Sequence, residues 1–321
     1  MTSLSHSRVR IGISACLLGE KVRFDGGHKK DEFLTSHFGR YVEWVPVCPE
    51  IEIGLGVPRE SLRLVGQGRG VHLIAPRSGA DHSEAMRRFA RERAGIIADQ
   101  GLCGFVFKRS SPSCGLERVK VYRDAGTPHR DGRGLFAEGL CERLPYLPVE
   151  EEGRLNDSRL RENFVSQVFS FKRWMDLGKS GLTQRRIMEF HARHKFLLMA
   201  HSQDGMRRLG NLLGRDGKST PPNQLGKKYF TSFCDVMRHA PTRRNHTNVL
   251  QHLAGFFSDR LDSVDRAELA GVIDRYRREL LPLIVPITLI RHYVRKFGVD
   301  YLEDQVYLDP HPDELRLLNH L

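Results

Sequence analysis

No stretch of this sequence is both long and apolar. The longest apolar run, around Leu280 to Ile290, contains Pro282 and Pro286 and falls well short of the ~20 residues a membrane-spanning helix requires. Met1 to Arg10 lacks the apolar core of a secretory signal. There is no Cys-x-x-Cys pair, so the ligand spacing of zinc ribbons and ferredoxins is missing. Internal repeats and low-complexity tracts are also missing, which argues against a solenoid or a long disordered tail. These absences lead us to expect a soluble, cytoplasmic protein with no membrane association, and nothing in them implies an obligate protein partner.

The chain has 321 residues, 40% of them hydrophobic and 28% charged, enough for one large domain or two ordinary ones with buried cores. Its six cysteines stand at 16, 48, 103, 114, 141 and 234. Without an export signal, metal binding or a catalytic thiol outweighs a disulfide framework. For any one cysteine taken alone, a buried inert thiol is the competing reading. The net charge of +12 is unevenly spread, since residues 171–258 carry 16 basic against 5 acidic side chains. Such a local excess suits a polyanion, of which nucleic acid is the commonest, although a solvated basic surface has the same composition.

The first half reads as α/β. Val9–Ser14 (VRIGIS), Val42–Val47 (VEWVPV) and Gly104–Phe107 (GFVF) are short apolar runs expected as strands. A helix is expected over Ser83–Asp99, with Met86, Phe89 and Ile96 on one side. Alternating strands and helices predict a Rossmann-like parallel sheet. Gly66–Gly79 and Gly126–Gly134 read as loops. A linker is expected near Phe171–Gly181, dividing domains 1–168 and 183–321. The second half reads as all-α, beginning at a Thr183 cap with Ile187, Phe190, Leu197 and Leu198 at helical spacing. A connection over Gly214–Lys228 follows. Further helices are expected at Tyr229–His239, Asn248–Arg260 and Ala267–Phe297, the last kinked or broken by Pro282 and Pro286.

Each expected strand of the first half runs toward a cysteine. VRIGIS leads to Cys16, VEWVPV to Cys48, and GFVF through Lys108–Ser113 to Cys114. In an open parallel sheet the strand C-termini share one edge, where the ligand crevice opens. Three thiolates at one crevice suit zinc with a fourth ligand, or an iron–sulfur cluster with one open iron. Glu50 is two residues from Cys48 and could serve the same crevice as an acid or base, or be an ordinary ion-paired carboxylate. Ser110, Ser111 and Ser113 could donate to a substrate, or shape the turn around Pro112. Asp25–Lys29 is an anion cradle or a plain turn. Arg59 could hold a phosphate or pair with Glu60 or Glu52. Cys103, Cys141 and Cys234 read as structural or incidental.

The segments Ile13–Gly19 (ISACLLG), Val22–Lys29 (VRFDGGHK), Val47–Glu60 (VCPEIEIGLGVPRE), Gly104–Gly115 (GFVFKRSSPSCG) and Glu151–Phe164, with its EEGRLND and LRENF runs, resemble the thiouracil desulfidase family over roughly the first 165 residues. The remainder resembles a helical domain often fused to it. The fused form is similar to bacterial enzymes that remove sulfur from 4-thiouridine in transfer RNA. The resemblance implies a [4Fe–4S] cluster held by Cys16, Cys48 and Cys114, a catalytic Glu50, and a catalytic serine at Ser111, with Ser110 or Ser113 as alternatives. It further implies hydrolysis of the thiocarbonyl to a carbonyl with release of hydrogen sulfide, the cluster acting as a Lewis acid.

Thiolated tRNA is then the expected partner, and the basic half its holder. The candidate phosphate contacts are Arg185, Arg186, Arg193, Lys195, Arg207, Arg208, Lys227, Lys228, Arg243 and Arg244. His194, on the apolar stripe of its helix, is expected in the core. The competing expectations are a desulfidase of free thiouracil or thiouridine monophosphate, and a non-catalytic RNA-binding iron–sulfur redox sensor.

Overall fold

The computed structural model describes residues 8–66, 70–123, 127–217, 219–315 and 317–319. The chain forms two compact units, Met1–Asn156 and Asp157–Leu321. Among the described residues no helix is long and apolar enough to cross a membrane.

The first unit runs β1 (Val9–Ser14), β2 (Val42–Val47), α1 (Pro49–Glu52), β3 (Arg63–Val65), β4 (His72–Ile74), α2 (Ser83–Asp99), β5 (Phe105–Phe107), β6 (Val119–Tyr122), β7 (His129–Gly132), α3 (Leu135–Arg143) and β8 (Val149–Glu151). Its main sheet has the order β2-β1-β5-β8 and every pairing is parallel. β1 lies inside the sheet with Val9, Ile11 and Ile13 all buried. Val9, Ile11 and Ile13 share one face of the strand, and Arg10, Gly12 and Ser14 take the other. Gly12 lets β5 approach, because a Cβ there would come within 2.2 Å of the Phe105 ring. The chain passes from β1 to β2 on one side and then to β5 and β8 on the other. The topological switch therefore lies between β1 and β5, where a ligand crevice is expected.

Other expectations are corrected. A second sheet, ordered β4-β3-β6-β7, was not foreseen. β4 falls in the stretch read as a loop over Gly66–Gly79, and β7 in the one over Gly126–Gly134. Residues 67–69 and 126 of those loops lie outside the described residues. Strands of three or four residues with exposed side chains such as His72 and Arg130 are too short for alternation to register. In α2 the buried stripe is Met86, Ala90, Ala94 and Ile97, while Ile96 is 46% exposed.

The second unit comprises α4 (Ser158–Lys179), α5 (Gln184–His201), α6 (Gln203–Asp216), α7 (Pro222–Met237), α8 (Arg243–Gly255), α9 (Ser263–Arg277), α10 (Ile284–Phe297) and α11 (Asp300–Glu303), with no strand among its described residues. The domain boundary therefore falls at Asn156/Asp157, earlier than expected, and most of Phe171–Gly181 is helix rather than linker. The reason is Trp174. It stacks on Phe230 at 5.0 Å and meets Phe190 edge-on at 5.1 Å, so α4 is built into the helical core. The expected connection over Gly214–Lys228 is shorter, since α6 extends to Asp216 and α7 starts at Pro222; Lys218 lies outside the described residues. Pro282 falls in the break between α9 and α10. Pro286 occupies the first turn of α10, where its missing N–H deprives no carbonyl of a helical partner.

Asp157 opens α4, its carboxylate accepting the backbone N–H groups of Arg159 and Leu160. Asp157→Ala should destabilise the helical unit by about 1 kcal/mol, read as a lower denaturation midpoint, with Asp157→Ser close to wild type.

Candidate metal centre

The three strand–cysteine junctions end at one level. Ser14 pairs with Val47 and Ile13 with Val106, so Cys16, Cys48 and the loop after β5 leave the same edge of the sheet. Cys16 lies in a 3-10 turn, Ala15–Leu18, and its carbonyl accepts the N–H of Lys29 at 2.9 Å. Cys48 directly precedes α1, and its thiol contacts the Val22 carbonyl at 3.8 Å. Cys114 is set by its own loop. The Ser111 Oγ accepts the N–H groups of Ser113 (3.2 Å) and Cys114 (3.0 Å), and α3 donates the N–H groups of Phe136 (3.0 Å) and Ala137 (3.2 Å) to the Ser113 carbonyl. Gly134 permits this approach, because a Cβ there would come within 2.5 Å of the Ser113 carbonyl.

The ends of the Cys114 loop are gripped from β8 and the residue after it. Glu151 accepts the N–H groups of Leu116 (2.7 Å) and Glu117 (3.3 Å). Glu152 accepts the N–H of Arg109 at 2.7 Å and pairs with the Lys108 ammonium. Sequence reasoning did not assign these two carboxylates. Their signal was the EEGRLND run, noted there as part of a resemblance and not as a clamp.

The three thiols act on one another. Burial pushes Cys16 up to about 11; the Lys108 ammonium opposes this and the charge of Cys48 adds to it. Burial also raises Cys48, against the N–H of Ile51. Cys114 is raised well above the ordinary range by burial; a hydrogen bond with Ser14 opposes this, while the charges of Glu50, Cys16 and Cys48 reinforce it. Mutually repelling buried thiols cannot all ionise alone, whereas a metal centre deprotonates the thiols that ligate it. Among the described residues no three His, Cys, Asp or Glu side chains crowd closely enough to hold a single metal ion. Thiolates around one zinc stand about 3.8 Å apart, given Zn–S bonds of about 2.3 Å. An iron–sulfur cluster engages each cysteine through a different iron and takes a wider donor set. Three soft thiols leaving one sheet edge are a donor set of the kind an iron–sulfur cluster takes.

Glu50, on α1, faces this centre. Its Oε1 accepts the Ser113 hydroxyl at 2.8 Å, and its Oε2 accepts Nε (2.9 Å) and Nη2 of Arg59. The Arg59 side chain is only 7% exposed and also donates to the carbonyls of Val22 (3.0 Å) and Gly56 (2.9 Å). Arg59 is therefore an internal partner of Glu50 and not a phosphate holder or a partner of Glu60 or Glu52. Of the three serines, Ser113 binds Glu50; Ser111 accepts two backbone donors and keeps its own hydrogen to give; Ser110 is exposed at φ 59°. In the Asp25–Lys29 segment the Asp25 carboxylate takes the Gly27 N–H at 3.0 Å and so shapes a turn. Cys103 is buried just before β5, Cys141 lies on α3 and Cys234 on α7, none at the shared edge.

The basic residues of the helical unit divide. Arg207, Arg208, Lys227, Lys228 and Arg244 are exposed, although Arg208 pairs with Asp204 and Lys228 with Asp216. Arg185 pairs with Glu189 and Arg193 with Asp304, while Arg186 reaches the carbonyls of Ser180 and Gly181 and Lys195 lies over Phe196. Arg243 departs from its expected role. Its side chain is 18% exposed, lies over the Tyr276 ring and donates to the Tyr276 carbonyl at 2.7 Å. His194 is buried as expected, and burial lowers it to about 3.

Comparison with known proteins falls into two parts. Residues 11–152 match the family model of 2-thiouracil desulfurase, and residues 195–312 match a protein family of unknown function, DUF1722. The uncharacterised protein YbgA of Escherichia coli strain K12 is 30% identical over 163 residues, 51% of this chain and 96% of that protein. A solved structure of the [4Fe-4S]-dependent thiouracil desulfidase TudS is 31% identical, covering 47% of this chain and 95% of that one, with a TM-score of 0.39. The chain belongs to the 2-thiouracil desulfurase family by its N-terminal half and to the DUF1722 family by its C-terminal half.

Proposed function

We propose that this protein is a desulfidase that converts 4-thiouridine in transfer RNA to uridine, with a [4Fe–4S] cluster held by Cys16, Cys48 and Cys114. The observation that carries the reading is the convergence of three mutually coupled thiols with one carboxylate, Glu50, at a single sheet edge. Bound there, the cluster would supply a soft Lewis acid suited to a thiocarbonyl sulfur. The chain's own residues do the rest. Arg59 and Ser113 fix the Glu50 carboxylate from two sides. So held, Glu50 takes a proton from the water that adds to the ring carbon. The Ser111 hydroxyl, with its hydrogen still to give, can donate to a substrate atom at the same edge. The net change is hydrolysis, thiocarbonyl plus water to carbonyl plus hydrogen sulfide.

The tRNA substrate is supported by the basic helical unit, because phosphate contacts from Lys and Arg hold nucleic acid without reading its sequence. A free nucleotide needs no such surface. Arg185, Arg186, Arg193, Arg207, Arg208, Lys227, Lys228 and Arg244 are exposed and stay in the set of candidate contacts, and Arg243 leaves it.

Three measurements test this. Anaerobically purified protein should contain about four irons and four labile sulfides per chain, and Cys16→Ala should lose them. Glu50→Gln should retain the iron and lower turnover by about 10²–10⁴-fold; retained turnover removes Glu50 from the reaction, and a sensor needs no such loss. Arg207→Gln, Arg208→Gln, Lys227→Gln and Lys228→Gln combined should raise KM for thiolated tRNA at least about tenfold and flatten its salt dependence, leaving turnover of thiouridine monophosphate unchanged. Equal tRNA kinetics in that variant would sink the RNA-holding role and favour a free-nucleotide substrate.

A further inference from the structure

The loop that carries Cys114 begins with a cation of its own. Arg109 stands two residues past β5 and Gly153 two residues past β8, and the two strands pair through Phe107 and Glu151. Both residues therefore lie at the sheet edge where the Cys16 and Cys48 loops leave. The backbone there is fixed. The Ser14 Oγ accepts the N–H of Lys108 at 3.0 Å, Glu152 accepts the N–H of Arg109 at 2.7 Å, and the Lys108 ammonium donates to the Arg109 carbonyl at 3.1 Å. The Arg109 side chain lies across Gly153, since a Cβ at Gly153 would come within 2.5 Å of its Cδ and 2.9 Å of its Nη1. Arg109 is exposed, and among the described residues no carboxylate pairs with its guanidinium. The acidic side chains nearby are engaged elsewhere. Glu152 takes Lys108, Glu150 and Glu117 take Arg154, and Glu151 takes the N–H groups of Leu116 and Glu117. Two residues beyond Arg109 is Ser111, with a hydrogen to give, and Ser110 between them turns the chain at φ 59°.

The sequence offered Arg59 as a phosphate holder, and the fold turns Arg59 inward onto Glu50. Arg109 has what Arg59 lacks: it is exposed, its stem is held and its charge is uncommitted. A guanidinium presents paired N–H donors that match phosphate oxygens. In a pyrimidine nucleotide the phosphate stands one sugar away from the ring, so a ring that reaches the thiols and Glu50 sets its phosphate at the rim of the same edge. We propose that Arg109, laid over Gly153, binds the phosphate ester of the substrate, so that the site takes a thiolated nucleotide, free or within RNA, in preference to a nucleoside or a bare base. The inference rests on the desulfidase reading above but needs nothing from the helical unit.

The test measures kcat/KM of the full-length, anaerobically prepared protein on 4-thiouridine, on its 5′-monophosphate and on a thiolated RNA oligonucleotide, with iron per chain determined for each variant. Arg109→Gln should keep its iron and lose at least about tenfold of the preference for monophosphate or RNA over nucleoside, the scale of one charge-assisted hydrogen bond. Arg109→Lys keeps the charge without the planar fork and should fall between the two. Gly153→Ala should reproduce the loss by displacing the stem, and should add little in an Arg109→Gln background, since both changes remove one contact. A loss on the monophosphate alone supports the assignment with a free nucleotide as the source of the phosphate, and a loss on RNA supports it with the RNA backbone. A wild type that turns over nucleoside as well as it does the other two, or an unchanged preference in iron-replete Arg109→Gln, overturns the inference. So does loss of iron from both Arg109→Gln and Arg109→Lys, which would make the residue a prop of the ligand loop. Wild-type protein that desulfurates none of the three compounds sinks the functional reading instead, which separates the two failures.

Discussion

Everything at the candidate metal centre depends on the parallel register of β1 with its two neighbours. Ser14 lies beside Val47 and Ile13 beside Val106, so three strands stop at one level. Parallel pairing forces the chain to cross over before each strand begins, which lets cysteines separated by 32 and then 66 residues arrive at one edge. A one-residue slip of β2 or β5 would turn alternate side chains to the opposite face and carry its cysteine out of line. Burial of Val9, Ile11 and Ile13 on one face of β1, and the close approach of Phe105 at Gly12 on the other, hold that register.

Around this edge the carboxylates have distinct tasks set by their partners. Glu50 is kept by Arg59 and Ser113 and faces the thiols. Glu151 and Glu152 hold the Cys114 loop at its two ends, the first through backbone donors alone and the second through Lys108 as well. Buried carboxylates of this kind persist because each is matched to donors. Burial raises each of the three thiols, opposed by the Lys108 charge at Cys16 and by the Ile51 N–H at Cys48.

The sequence showed the parallel strands and the cysteines after them, because VRIGIS and VEWVPV are short, largely apolar runs and each leads to its cysteine. It did not show the second sheet, whose strands have three or four residues and exposed side chains. Nor did it show α4 as part of the helical unit, because one tryptophan decides that and periodicity does not weigh a single stacking partner. Glu50 was legible as a candidate, but its pairing with Arg59 joins α1 to a turn nine residues on and needs the fold to be seen. Ser14 was quoted within ISACLLG and passed over, since a hydroxyl at the end of a strand gains meaning only from the loop that packs against it. Arg243 shows the reverse error, where composition suggested a solvent-facing cation and Tyr276 takes it inward.

The clamp at Glu151 and Glu152 has a consequence for the order of biosynthesis. Translation delivers β1, β2 and all three cysteines well before it delivers residue 152, so a nascent chain possesses every thiol ligand while the last ligand loop is still untethered. The loop that carries Cys114 therefore gains its two carboxylate tethers only once β8 and the residue after it are in place.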